Sequence, residues 1–166
     1  MRNQHQNIAR QSLPQPDRKC SSPQIERIAW GYRKVPLSHG RHHIGRTIPW
    51  PGHPAVVVES LEERLVVQAL AKRCQCTALT SQPVTVWYSY RGRLRRYTPD
   101  LMVAFAEIPL DLGRLGAQAC TLIEVKPYSR SRITADTWAL WREVIQTALS
   151  MPLILLCAES AREAAP

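Results

Sequence analysis

Three charged side chains inside two apolar segments are the first candidates for chemistry. Asp100 follows Pro99 and opens the apolar run LMVAF, and Glu124 and Lys126 lie inside the apolar segment CTLIEVKP. Residues two apart in a strand point to the same face of a sheet, so Glu124 and Lys126 are expected to project together. If the two segments form neighbouring strands, both carboxylates and the ammonium converge on one patch.

This grouping is suited to metal-assisted hydrolysis. Two carboxylates supply the hard oxygen ligands that Mg²⁺ and Mn²⁺ prefer, and these ions keep waters for substrate oxygens. A metal-bound water that attacks a phosphodiester needs a nearby charge to position it and to offset developing negative charge, and Lys126 can do both. Glu63, near the start of the preceding predicted helix, would complete the metal shell. The arrangement matches the pattern PD-(D/E)xK and predicts a metal-dependent nuclease.

A structural ion pair between Glu124 and Lys126 is the alternative. Short PD and ExK strings occur often by chance, and a Glu/Lys pair on one strand face is usually solvated. Here the charges stand in segments expected to be buried, where burial is costly unless the charges pair or bind a metal. An ion pair accounts for Glu124 and Lys126 but leaves Asp100 without a structural role.

A mixed sheet flanked by helices is expected to position these residues. The predicted elements are a helix from Glu59, strands at 83–90 and 97–105, a strand at 120–127, a helix at 133–150 and a short strand from Met151. Ser60 and Glu63 form a capping box at the start of the first helix. The first two strands form a hairpin, with a turn at 91–96 centred on Gly92. The last three elements make a βαβ crossover, in which one strand pair is parallel.

The composition indicates one soluble domain with a polyanionic partner. The chain has 166 residues, of which 45% are hydrophobic and 21% charged, which excludes collagen-like and wholly disordered classes. The formal net charge is +9. Nucleic acid is the first expected partner and an acidic membrane surface the second. No apolar run is long enough for a membrane helix.

Most of the excess charge lies in residues 1–55, which we predict to be a basic, proline-rich arm. They hold nine Lys/Arg against two acidic residues, and the nuclease domain is expected to span 56–166. Residues 1–24 are expected to be flexible. Residues 25–54 could fold back on the domain through apolar anchors, namely Ile25, Ile28, Trp30, Tyr32, Ile44, Ile48 and Trp50.

The five cysteines are odd in number and show no CxxC spacing. Scattered, mostly reduced thiols are therefore expected, which indicates a reducing, cytoplasmic compartment. The basic N-terminus has no apolar segment behind it, so it is not expected to be a secretory signal.

Three stretches, ESLEERLVVQAL, SQPVTVWYSYRGRLRRYTPDLMV and LIEVKP, occur in this order between about Glu59 and Glu159. Together they resemble the N-terminal nuclease domain of the TnsA-type transposon endonucleases. The resemblance implies a restriction-endonuclease-like fold that cuts DNA at a transposon end with two magnesium ions. It also implies a partner transposase that performs the other strand's cutting and joining.

Carried over by position, Asp100, Glu124 and Lys126 match the metal and catalytic positions of that family. The helix glutamate of the family falls three residues after a serine, which selects Glu63 among the glutamates of the first helix. The backbone carbonyl of Val125 is expected to complete one metal site. The resemblance thus implies Mg²⁺ as the cofactor, with Mn²⁺ as a substitute.

Two features depart from the family. Full-length members carry a second, winged-helix-like domain that contacts the transposase or a regulator, and with the chain ending at Pro166 that domain is expected to be absent. Residues 1–55 are also unusually proline-rich and basic. The implied partners remain DNA and a transposase or recombinase, in the setting of transposition or another DNA recombination of a mobile element or phage.

Further charged clusters lie outside the metal site. One cluster consists of four arginines, which could bind phosphates that flank the scissile bond or form a solvated turn. They are Arg91, Arg93, Arg95 and Arg96. A histidine cluster in the arm, His39, His42, His43 and His53, lacks a helix to present it as a zinc site. Trp138 and Trp141 are expected to pack on the sheet.

Three functions therefore stay open. The first is a magnesium-dependent DNA endonuclease of the PD-(D/E)xK class. The second is a non-catalytic DNA-binding or assembly subunit of a mobile-element or phage complex with a nuclease-like fold. The third, an RNA-binding accessory protein, depends on the basic arm alone. The intact quartet of Glu63, Asp100, Glu124 and Lys126 favours the enzyme.

Overall fold

The structure, a computed structural model, describes residues 22–28, 46–126 and 133–157. Within these ranges the chain is a mixed α/β protein, as the sequence predicts. The strands are β1 (Gln24–Ile28), β2 (Arg46–Trp50), β3 (His53–Val58), β4 (Cys76–Ser81), β5 (Val84–Tyr90), β6 (Arg93–Tyr97), β7 (Leu101–Phe105), β8 (Cys120–Lys126) and β9 (Leu153–Cys157). The helices are α1 (Leu61–Ala71), α2 (Leu110–Arg114) and α3 (Ala135–Leu149).

A four-stranded mixed sheet in the order β4-β7-β8-β9 forms the centre of the described molecule. Strand β7 runs antiparallel to both of its neighbours, β4 and β8, with Leu101 opposite Ile123 across β7 and β8. Strand β9 runs parallel to β8 after the crossover through α3, with Leu122 opposite Leu153. The predicted βαβ unit is confirmed, and so is the expectation that the strand following Asp100 is the neighbour of the strand carrying Glu124.

Alternate residues of this sheet face two different cores, as the twofold side-chain period of strands requires. Odd-numbered residues of β7 and β8, such as Val103 and Ile123, pack with α1 and the β2–β3 hairpin. Even-numbered residues, such as Met102 and Leu122, pack with α3 and β5. Glu124 and Lys126 continue this second series, so their side chains leave the sheet on the α3 face.

Local sequence explains where the two longer helices begin. The Ser60 side chain accepts the Glu63 N–H, which confirms the predicted capping box. Thr134 caps α3 in the same way, by accepting the Thr137 N–H. Trp138 and Trp141 of α3 pack against the second core, as expected. No helix of the described ranges is long and apolar enough to cross a membrane.

The predicted hairpin of 83–90 with 97–105 is wrong. Strand β5 pairs with β6, and the two join through a tight turn in which Arg91 and Gly92 have φ values of 52° and 70°. Such a two-residue turn with both φ values positive is typical of a type I′ hairpin. Residues 93–96, assigned to the turn, are therefore strand, and the chain then leaves for a second sheet, where β7 begins at Leu101. Strand β6 belongs to a separate sheet in the order β1-β5-β6.

Several elements have no counterpart in the sequence-based prediction, namely β1, β2, β3, β4 and α2. They are short or lack a clear apolar period. Ile48 and Trp50 of β2 are buried in the first core, which confirms that this part of the predicted arm folds back on the domain. Ile25 is exposed, and Trp30, Tyr32 and Ile44 lie outside the described residues. The expected domain boundary at 55/56 falls inside β3.

Three cysteines of the described ranges, Cys74, Cys76 and Cys120, are free thiols, in line with the expectation of scattered, reduced cysteines. Cys20, Pro127 and residues 1–21 of the predicted arm lie outside the described residues.

Candidate active site

Asp100 stands immediately before β7 and caps the ladder between β7 and β8. Its Oδ2 accepts the backbone N–H of Val125 at 2.7 Å. Continuing the β7–β8 register by two residues puts Pro99 opposite Val125. Pro99 lies outside β7, and the Asp100 carboxylate supplies the acceptor for the Val125 N–H in place of a strand carbonyl. The sequence-based expectation that Asp100 lacks a structural role is therefore wrong.

Glu124 and Lys126 project together from β8, as predicted. The Lys126 Nζ lies 2.5 Å from Glu124 Oε1 and 3.8 Å from Asp100 Oδ2. Glu124 is only 3% exposed, whereas the Lys126 side chain keeps 29% of its surface in solvent. The ammonium thus lies between the buried carboxylate of Glu124 and the partly buried carboxylate of Asp100, and part of its side chain remains open to solvent.

Glu63 approaches this group from α1, on the opposite face of the sheet. Its carboxylate accepts hydrogen bonds from the Ser60 hydroxyl and the Glu59 N–H, each at 3.0 Å. It is nevertheless close enough for its negative charge to act on both Asp100 and Lys126. The structure brings all four predicted site residues to one end of the sheet, with Glu63 held in the capping box rather than in contact with the other three.

The electrostatics of the site show an excess of negative charge. Burial, followed by the charge of Glu124, raises the pKa of Asp100 to about 7, against the lowering effects of Lys126 and the Val125 N–H. Burial also raises the pKa of Glu63. For Lys126, burial acts to lower the pKa, but the hydrogen bond and the surrounding carboxylates outweigh it and raise the pKa. With all four groups ionised, three negative charges meet one positive charge.

Tyr97 is a site residue whose role the sequence does not reveal. Its hydroxyl donates a 2.7 Å hydrogen bond to Glu124 Oε2, across 27 positions of the chain. Its ring stacks on Trp141 of α3, with ring centroids 4.4 Å apart and an interplanar angle of 14°. Burial and the neighbouring Glu124 raise the pKa of this phenol far above its usual range, so it acts as a hydrogen-bond donor. Only its position three residues before Asp100 could have drawn attention to it.

The four arginines of the hairpin are all exposed. Arg95 lies opposite Tyr88 and Arg96 opposite Trp87, so neighbouring arginines occupy both faces of β6. Arg91 lies over the ring of Tyr90, 5.1 Å from its centroid. Within the described ranges no ion pair involves any of the four, so their charges face solvent along β6 and the turn that precedes it.

Of the four histidines of the predicted cluster, only His53 lies within the described residues. His53 stacks on Trp50, with ring centroids 3.9 Å apart, and both residues belong to the β2–β3 hairpin. His39, His42 and His43 lie outside the described residues. Across the described ranges, no three His, Cys, Asp or Glu side chains stand close enough together to hold a metal ion as they are placed.

Comparison with known proteins yields no relative: no family model matches the chain, and no curated protein matches it significantly. The geometry of the site therefore carries the functional interpretation.

Proposed function

We propose that this protein is a metal-dependent DNA endonuclease of the PD-(D/E)xK type, related to the TnsA-type transposon endonucleases. The observation that carries the proposal is the convergence of Asp100, Glu124 and Lys126 at one end of β7 and β8. Two carboxylates of adjacent strands each lie within 4 Å of one accessible ammonium. The four-stranded mixed sheet with helices on both faces supports the restriction-endonuclease-like fold that this class implies.

The site chemistry fits a hard divalent cation. Asp100 and Glu124 would supply carboxylate oxygens, which Mg²⁺ and Mn²⁺ prefer. The Val125 N–H points at Asp100. The N–H and C=O of one strand residue leave the backbone on the same side, so the Val125 carbonyl also leaves β8 on the β7 side. Glu63 would join only after leaving its capping bonds. A bound cation would activate a water and offset the charge that develops on the scissile phosphate.

Lys126 is the residue best placed to act on the substrate. Its ammonium is held by Glu124, and part of its surface stays in solvent. There it can bind a phosphate oxygen and stabilise negative charge as the phosphodiester is attacked. Glu124 and Asp100 fix the position of this ammonium, and the raised pKa keeps it charged at neutral pH.

DNA binding is the second part of the proposal. It is assigned to the arginine hairpin, which is the β5–β6 hairpin with Arg91, Arg93, Arg95 and Arg96. Strand β6 ends at Tyr97, three residues before Asp100, so Arg95 and Arg96 stand beside the site. Since a strand rises about 3.3 Å per residue, Arg93 stands about 13 Å further along β6 from Tyr97. Guanidinium groups spaced in this way can bind successive phosphates of a DNA backbone. A transposase or recombinase as the partner protein belongs to the same proposal.

A non-catalytic DNA-binding or assembly subunit is the second candidate, and one observation favours it. Each carboxylate of the site already has a partner within the chain. Asp100 accepts the Val125 N–H, Glu124 pairs with Lys126, and Glu63 occupies the capping box. A network satisfied in this way can be purely structural.

Asp100→Asn separates the two candidates. The amide keeps an oxygen that can accept the Val125 N–H, so the fold is preserved while one metal-binding charge is removed. We expect wild-type protein to nick or cut supercoiled plasmid with Mg²⁺ or Mn²⁺ and not with EDTA. We expect Asp100→Asn to lose at least about 100-fold in rate, with DNA binding retained. Asp111→Asn, which removes an acidic charge outside the site, is the matched control.

Calorimetric titration with Mn²⁺ completes the test. Binding to wild-type protein that disappears in Asp100→Asn supports the enzyme, even where cleavage waits for a partner protein. Cleavage by Asp100→Asn at the wild-type rate contradicts the site assignment. DNA binding by wild-type protein with neither Mn²⁺ binding nor cleavage favours the assembly subunit.

A further inference from the structure

We infer that Tyr97 is a positioning residue that holds Glu124 in the orientation needed to bind a divalent cation. This inference rests on the proposed function and deepens it, because Tyr97 is not one of the four predicted site residues. Two contacts carry it: Trp141 of α3 stacks on Tyr97, and Tyr97 donates a hydrogen bond to Glu124. The hydrogen bond between Tyr97 and Glu124 is buried, and the stacking on Trp141 lies at the edge of the second core.

The first contact fixes the tyrosine. Tyr97 is the last residue of β6, is 5% exposed and stacks on Trp141. Offset or stacked aromatic pairs at this centroid distance are favourable beyond the area that they bury. Tyr97 also lies opposite Val86 in the β5–β6 pair and belongs to the second core. Its ring therefore has little freedom to move.

The second contact fixes the carboxylate. Glu124 has two oxygens with different partners: Oε1 pairs with the Lys126 ammonium, and Oε2 accepts the Tyr97 hydroxyl at 2.7 Å. With only Lys126 bound, the carboxylate could rotate about its last side-chain bond. The hydroxyl supplies a second point of attachment on the other oxygen. The two contacts thereby fix the orientation of the carboxylate plane. They also fix the direction of the oxygen lone pairs that remain for a cation.

Residues that orient a metal ligand affect metal affinity or activity by about 10- to 100-fold when they are replaced. Tyr97→Phe keeps the ring and its stacking on Trp141 but removes the hydroxyl. We expect it to weaken Mn²⁺ binding about 10-fold and to lower kcat about 10-fold. We expect the KM for DNA to stay unchanged, because the arginines that bind phosphate are untouched.

The matched control is Tyr88→Phe. Tyr88 is a buried tyrosine of the neighbouring strand β5 and belongs to the same core, but the hydrogen bond to Glu124 comes from Tyr97. Its Mn²⁺ affinity and kcat are expected to match the wild type. Thermal unfolding of both variants shows whether each is folded at the assay temperature.

The experiment is calorimetric Mn²⁺ titration of the full chain in four forms: wild type, Tyr97→Phe, Glu124→Gln and the double variant. If Tyr97 acts through Glu124, Tyr97→Phe costs affinity in the wild-type background and nothing further in Glu124→Gln. An equal loss in both backgrounds, or no loss in the first, overturns the inference while the proposed function stands. A folded wild-type protein that binds no Mn²⁺ overturns both.

Trp141→Phe carries the test if Tyr97→Phe does not fold. This variant keeps the hydroxyl but reduces the ring on which Tyr97 stacks. We expect about a 3-fold weaker Mn²⁺ affinity in the wild-type background and no effect in Glu124→Gln. Unchanged affinity in a folded Trp141→Phe protein, together with a Tyr97→Phe protein that does not fold, would mean that the contacts are structural and overturn the inference.

Discussion

The end of β8 and the arginine hairpin are two charged regions that use charge in opposite ways. In β8 the charges are buried or half-buried and are bound to one another, as Glu124 is to Lys126. In the hairpin, Arg93, Arg95 and Arg96 are exposed and, within the described ranges, take part in no ion pair. Paired charges such as Glu124 and Lys126 hold each other's side chains in one position. Charges that face solvent are available to an external polyanion such as DNA.

The two regions meet at Tyr97, where the hairpin strand ends and the chain turns toward Asp100. Under the proposed function, this arrangement would separate two tasks along a few residues of chain: binding of phosphates on β6 and hydrolysis at the β7–β8 end. Substitutions in one region should therefore leave the other task nearly intact. That separation can be tested from both sides.

The largest effect is expected from Lys126→Ala. Removing the ammonium leaves the buried Glu124 carboxylate without its counter-charge. Because the Lys126 side chain is 29% exposed and Glu124 keeps the Tyr97 hydrogen bond, we expect a loss smaller than the cost of about 3 to 5 kcal/mol for breaking a fully buried pair. Urea unfolding should show this loss, and plasmid cleavage should fall to background. Lys72→Ala, at an exposed lysine that ends α1, is the control and should change neither quantity. A Lys126→Ala protein as stable as the wild type would mean that Glu124 is not paired as described.

A double substitution in the hairpin, Arg95→Gln with Arg96→Gln, should lower DNA affinity and leave the free energy of unfolding nearly unchanged. Both side chains are exposed, so unfolding free energy should change by less than about 0.5 kcal/mol for each. DNA affinity should fall, and the slope of log affinity against log salt should become shallower by about 0.9 for each phosphate that the variant no longer neutralises. Fluorescence anisotropy at several salt concentrations measures both, with Arg114→Gln in α2 as the control.

Two results of the hairpin experiment would contradict the proposed separation of DNA binding from hydrolysis. If the double variant binds DNA with the wild-type salt dependence, the exposed arginines are a solvated turn and the DNA surface lies elsewhere. If instead kcat at saturating DNA falls while affinity holds, the arginines take part in hydrolysis, and the two regions do not have separate tasks.

The parts of the site that could be predicted from sequence are those with a strong local pattern. The apolar runs around Glu124 and after Asp100 indicate buried strands, and the twofold period places Glu124 beside Lys126. Ser60 followed by Glu63 predicts the start of α1 from hydrogen bonding between near neighbours. The crossover of β8, α3 and β9 follows from helical spacing between two apolar strands.

The remaining features could not be predicted, because they depend on contacts distant in sequence or on weak patterns. Strand β6 has three arginines among its five residues, so no apolar alternation marks it as a strand. The bond from Tyr97 to Glu124 joins residues 27 positions apart. The role of Asp100 as an acceptor for the Val125 N–H needs the β7–β8 register, which no single segment encodes.

The smallest effect is expected at the ion pair of Arg73 with Asp111, in which the arginine side chain is largely buried and the carboxylate is partly exposed. Two hydrogen bonds, at 2.9 and 2.8 Å, join the groups, and the Asp111 side chain is 44% exposed. Partial burial acts to raise the pKa of Asp111, but the bonds and charge of Arg73 outweigh it and lower the pKa. Screening by solvent limits the contribution of such a pair to less than about 1 kcal/mol.

The pH dependence of that pair has a definite sign. A carboxyl whose pKa is lower in the folded state stabilises the protein above its unfolded pKa, about 3.9 for Asp, and this contribution is lost as the pH falls through the folded value. The stability difference between wild type and Asp111→Asn should therefore be present at pH 7 and vanish near pH 2. Urea unfolding at low salt measures it, with exposed Glu107→Gln as the control. A difference unchanged at pH 2 would show that Asp111 stabilises by packing, which would place it with the buried charges of β8 rather than the solvated ones of the hairpin.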